Sequence, residues 1–117
     1  MASLKVELAS LRTVAERNRI RLLESWICRS LGEIFLNLGG NQVDEAEQWV
    51  RKSIEVDARN GMRLSLAKNY GLYGKFFKQQ GDKSRAQEEL GKAIEILKEC
   101  GADGLLMKYE EEMANLK

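Results

Sequence analysis

Apolar side chains recur along this chain in steps of three and four residues, with polar and charged ones between them. That period lays one apolar stripe along an α-helix; a half-buried strand needs strict alternation, which persists nowhere here. β-branched residues are scattered, so the expected class is all-α. The first stripe, Leu4, Leu8, Leu11 and Ala15, predicts a helix over about 3–16. Five more are predicted over about 19–38, 43–58, 62–80, 83–99 and 104–115. Gly39-Gly40, Asn60-Gly61, Gly81-Asp82 and Gly101 mark the ends of the second to fifth, because glycine accepts the left-handed backbone that closes a helix. Asp44, Glu45 and Glu47 sit in the first turns of the third, where the helix dipole favours anions.

The pattern is densest between Tyr70 and Ala93. Tyr70, Tyr73, Gly74 and Phe77 lie on one predicted helix, and Ala86, Leu90 and Ala93 on the next. Small residues at Gly74, Ala86 and Ala93 let two helices approach closely, and the large ones fill the space beside them. Upstream the same order returns: Cys28, Leu31, Gly32 and Phe35, then Ala46, Val50 and Ser53. Gly74 and Ala86 are twelve residues apart, whereas Gly32 and Ala46 are fourteen apart, so the first hairpin has the longer connection. A further echo reaches the N-terminal segment: Val14, Arg17, Asn18, Arg21 and Leu22 recur 42 residues later as Val56, Arg59, Asn60, Arg63 and Leu64. Under that offset Leu4, Leu8 and Leu11 fall on Ala46, Val50 and Ser53.

These spacings resemble the tetratricopeptide repeat, a helical hairpin with the pattern W-x2-L-G-x2-Y…A-x3-F…P. The chain departs from it in lacking any proline and in placing Cys28, Val50 and Ser53 where the family has an aromatic, Phe and Ala. The resemblance implies six antiparallel helices stacked as a right-handed α-solenoid of about 40-residue units. Residues 19–60 and 61–101 would be two units, 1–18 the second helix of an incomplete preceding one, and 102–117 a capping helix whose stripe is Leu105, Tyr109, Met113 and Leu116. A chain opening on half a unit is expected to be the C-terminal part of a larger protein.

Composition narrows the function. With 19 Lys and Arg against 18 Asp and Glu, the net charge of +1 argues against an electrostatic nucleic-acid binder. The signs are unevenly spread: residues 1–80 are basic on balance and 81–117 acidic, through Glu110, Glu111 and Glu112. No apolar run approaches the roughly 18 residues of a membrane span, and no signal peptide is evident, so no membrane association and a cytoplasmic location are expected. Cys28 stands in an aromatic's place and reads as a small buried hydrophobe; Cys100 falls at a helix end. The chain has no histidine, no nucleophile elbow and no phosphate-binding loop. No catalytic residue, metal or cofactor is therefore expected.

A binding surface remains. In tetratricopeptide arrays the first helix of each unit lines a concave groove, and the resemblance implies the same here. Steps of three and four, taken away from the packing face, select Trp26, Arg29, Glu33 and Asn37 in the first unit. In the second they select Lys68, Gly71, Lys75 and Lys78, with Gln79 beside them. The stripe is basic, with Trp26 as an apolar anchor or, equally, as packing for a preceding helix. It suits an acidic peptide or a carboxylate. The family's carboxylate clamp is matched only in part, by Arg29 and Asn37, with Glu33 where an Asn is expected. The expected function is a scaffold that holds a peptide or partner domain. Two alternatives are a self-association module, a homodimer through the open N-terminal edge, and the regulatory arm of a larger signalling ATPase or nucleotide cyclase.

Overall fold

The computed structural model describes residues 2–116; the side chains of residues 2–8, 11, 14 and 18 lie outside that description. Five α-helices span the described residues: α1 (Ala2–Leu38), α2 (Val43–Asn60), α3 (Arg63–Gln79), α4 (Lys83–Cys100) and α5 (Asp103–Leu116). A short 3-10 turn, Gly40–Gln42, occupies the longer connection between α1 and α2. Each helix packs on the next, and α1 also reaches α3. No described helix is long and apolar enough to cross a membrane.

The first two predicted helices are one. α1 runs for 37 residues without a break, a length of about 55 Å that dominates the 62 Å long axis of the molecule. The expected break near residues 17 and 18 followed from the end of the Leu4–Ala15 stripe, and the match of Asn18 to Asn60 that went with it fails at the next residue. Asn60 is followed by Gly61, whose φ of 69° closes α2; the aligned position in α1 is Arg19. Without glycine or proline there, nothing stops the helix. Residues 2–18 are therefore part of α1 and not a separate antiparallel helix. The packing assigned to Leu4, Leu8 and Leu11 falls on side chains outside the description, and Ala15 is exposed.

The two predicted hairpins are present, and their crossings correspond. A Cβ on Gly32 would lie 2.7 Å from Val50 Cγ2, 3.3 Å from Val50 N and 3.6 Å from the Ala46 carbonyl. A Cβ on Gly74 would lie 3.3 Å from the Ala86 carbonyl and 3.5 Å from Leu90 N. Each glycine thus faces the carbonyl of the buried alanine and the amide four residues on. Ala46, Val50, Ala86 and Ala93 are fully buried, with Leu90, Tyr73 and Phe77 nearly so; Leu31, Phe35 and Tyr70 are half-buried. Tyr73, Phe76 and Phe77 form an aromatic cluster with ring centroids 4.5 to 5.9 Å apart, each pair adding about 1 kcal/mol beyond area burial. Cys28 is buried, and burial holds its thiol pKa above the ordinary value despite Lys52 nearby.

Candidate functional site: a basic groove

The groove begins with α3. Lys68, Gly71, Leu72, Lys75 and Lys78 recur in threes and fours and share one face. α1 brings Arg29 and Glu33, one turn apart, alongside that face. α5 closes the far side with Leu105, Lys108, Tyr109, Glu112 and Leu116, and Gly74 and Leu90 lie at its base. The cleft is an open groove of about 480 Å³. Four lysines and one arginine face two carboxylates across it.

The structure gathers Arg29, Glu33, Lys68, Gly71, Lys75 and Lys78 of the predicted set. It leaves out three. Trp26 is 58% exposed, neither covered by a helix nor part of the groove wall. Asn37 and Gln79 are exposed and stand outside the lining as well. Gly71 is no open groove position: the Tyr109 hydroxyl and ring occupy the space a Cβ would take. Only glycine lets α5 seat its tyrosine there.

Arg29 is a built-in wall rather than a loose cation. Its Nη1 donates to Ser65 Oγ at 2.9 Å and to Asn69 Oδ1 at 3.1 Å. Behind it Asn69 Nδ2 donates to Asp57 Oδ2 at 2.6 Å and to the Ser53 carbonyl at 2.9 Å. Ser25 Oγ also donates to Asp57 Oδ2, at 2.7 Å. Ser25, Ser53, Asp57 and Asn69 are all at most 1% exposed, so α1, α2 and α3 are tied by a polar cluster in the core. Asp57 Oδ1 is buried with no partner among the described residues. Spending one Arg29 nitrogen on this cluster fixes the guanidinium at the groove edge.

Sequence reasoning missed the α5 contribution because it treated that helix only as a cap. Two signals were present. Leu105, Lys108, Tyr109, Glu112 and Leu116 share the helical period of threes and fours that marks the α3 face, and a mid-helix glycine at 71 marks a close approach. Tyr109 is 8% exposed. Burial pushes its hydroxyl pKa above the usual tyrosine value; Glu112 adds to the shift and Arg29 opposes it. Among the described residues, no three His, Cys, Asp or Glu side chains converge to hold a metal. Comparison with protein-family models, with curated proteins and with solved structures finds no match.

Proposed function

We propose that this chain is a protein–protein interaction module of the tetratricopeptide type. In this reading the hairpins stack as a right-handed solenoid, and the groove holds an acidic peptide or the acidic face of a partner domain. The matching glycine crossings at Gly32 and Gly74 support the repeat reading. One observation carries the ligand reading: Arg29, Lys68, Lys75, Lys78 and Lys108 converge from three helices on a groove holding only Glu33 and Glu112 as counter-charges. Leu72, Tyr109 and Leu105 give it apolar patches between the cations. A peptide with two or three carboxylates and one apolar side chain fits that alternation.

The same features favour binding over catalysis. The chain has no histidine, and the groove's titratable groups are lysines, an arginine, a tyrosine and two carboxylates spread along an open surface. The test is fluorescence anisotropy with labelled acidic peptides, their neutral amide counterparts, and Lys68→Glu/Lys75→Glu protein. Both lysines are exposed, so the variant keeps its fold. The acidic peptide should bind more tightly than its neutral counterpart, lose affinity with added salt, and bind the charge-reversed protein at least about tenfold more weakly. Equal affinity for the two peptides, or for the two proteins, overturns the reading.

A further inference from the structure

α1 has two apolar faces, and the groove uses neither. Toward α2 and α3 it buries Ser25, Cys28, Gly32 and Leu36. On the opposite side it exposes Ile20, Leu23, Ile27 and Ile34, each by roughly half, around half-buried Leu31. We propose that this outer face is a self-complementary seam through which two copies of the chain pair, α1 antiparallel to α1, with Ile27 against Ile27.

Three observations commit the seam to a second copy. First, the steps from Ile20 to Leu23, Ile27, Leu31 and Ile34 are three, four, four and three residues, the spacing at which two helices interlock knobs into holes. The order Ile-Leu-Ile-Leu-Ile reads the same in both directions about Ile27. A two-fold interface requires that property, because residue i must meet residue j while j meets i. Antiparallel pairing puts Ile20 opposite Ile34 and Leu23 opposite Leu31. Second, charge selects antiparallel over parallel. Arg12, Arg17 and Arg19 lie N-terminal to the seam, Arg19 being paired with Glu16, while Asp44 and Glu45 open α2 just past its C-terminal end. Antiparallel copies bring those opposite charges to the same level; parallel copies stack like upon like. Third, with Leu38 and Trp26 at its margins, the exposed apolar surface is of the order that one partner brings to a standard interface, about 800 Å² per side. The seam ends where the palindrome does, at Glu16 and Leu38. Since α2 and α3 lie on the other side of α1, each copy in the pair keeps its groove open.

Sedimentation equilibrium over a wide concentration range tests the proposal on the full chain. The wild type should show a reversible monomer–dimer equilibrium, and Ile27→Glu should abolish it. The circular dichroism spectrum of the variant should stay unchanged, because Ile27 is exposed in the single chain, and its Tm should match that of the wild type diluted to the monomer. In a Cys100→Ser background, mild oxidation should join Ile27→Cys copies into a covalent dimer, and Leu38→Cys copies should remain single, since position 38 faces position 16. A wild type that is monomeric at every concentration leaves the seam to some other protein and overturns the proposal. So does a dimer that survives Ile27→Glu. Cross-linking of Leu38→Cys as readily as Ile27→Cys overturns the antiparallel register. Acidic-peptide binding by monomeric Ile27→Glu separates this seam from the groove: it should be unchanged whatever the outcome here.

Discussion

Where α1 and α2 meet α3, the buried positions hold Ser25, Ser53, Asp57 and Asn69; where α3 and α4 meet α5, the corresponding ones hold Ala67, Ala93, Leu97 and Tyr109. The correspondence is positional. Asp57 and Leu97 each lie four residues before the glycine that closes their helix, and each offers its carbonyl to the amide just after that glycine, at 3.0 and 3.1 Å. Both are 0% exposed. Arg29 reaches Asn69 at one junction, and Gly71 receives Tyr109 at the other. One backbone arrangement therefore accepts two chemistries. The polar junction works only when complete, since each buried group removed leaves another without its partner. The apolar junction loses stability in proportion to what is removed.

The sharpest way to break the comparison is to put the polar chemistry where its partners are missing. Leu97→Asp buries a carboxylate among Ala67, Ala93 and Tyr109, with none of the donors that Asp57 receives. The expected cost is about 4 kcal/mol or more, a large share of the total for a small domain. Urea denaturation followed by circular dichroism measures it. A loss below about 2 kcal/mol would mean that water reaches position 97 and that the second junction is not closed.

Next in size is the removal of one member from the complete network. Asn69→Leu takes a donor from Asp57 Oδ2 and from the Ser53 carbonyl, and an acceptor from Arg29. It should cost about 2–3 kcal/mol. Converting the junction wholesale, with Ser25→Ala/Asp57→Leu/Asn69→Leu, should recover most of that, because an apolar cluster of similar volume leaves no buried charge unpaired. A triple variant less stable than the single one would show that packing, not pairing, decides the first junction.

Glycine gives a smaller contrast, of opposite sign at two sites. Gly71→Ala drives a methyl group into the Tyr109 ring and should cost about 1–2 kcal/mol by lifting α5. Gly91→Ala meets only Met113 Cε, at 3.8 Å, an ordinary contact. There the gain in helix propensity should dominate, raising stability by about 0.5–1 kcal/mol. Thermal unfolding of the two variants side by side checks the signs. Equal shifts would mean that Tyr109 does not rest on Gly71.

How much of this could be read from the sequence follows from which forces act locally. The hairpin crossings were legible, because a glycine followed on the next helix by a small and then a large residue four apart recurs in the same order at 32, 46 and 50 and again at 74, 86 and 90. The helix ends after Leu38, Asn60, Gln79 and Cys100 were legible for the same reason, each being followed within two residues by a glycine of positive φ. The unity of α1 was obscured by the end of the Leu4–Ala15 stripe and by an alignment that matched Asn18 to Asn60 and overlooked Arg19 in the place of Gly61. The polar junction was invisible, since Ser25, Asp57 and Asn69 come from three helices and only their meeting makes each acceptable in the core. The groove was half legible. Its α3 face has a helical period, but the part supplied by α5 depends on where that helix lands.

The smallest effect expected from the comparison is one of pH. Burial, with Glu112 second, holds the Tyr109 pKa above its ordinary 10.0, and Arg29 offsets part of the shift. The folded chain therefore keeps this proton more tightly than the unfolded chain does. Stability from the group is complete below pH 10 and falls as pH rises above it, because there the unfolded state binds fewer protons than the folded one. Tyr109→Phe keeps the ring on Gly71 and removes the proton, so its stability should fall less steeply in that range. Tyr73, also shifted upward by burial and by Glu47, supplies a residual slope that Tyr73→Phe should remove. Lysine titration enters all these proteins alike and cancels in the differences. Identical slopes for wild type and Tyr109→Phe would mean that the tyrosine ionises as easily folded as unfolded. In that case α5 does not seal its junction, and the likeness between Asn69 and Tyr109 ends at position alone.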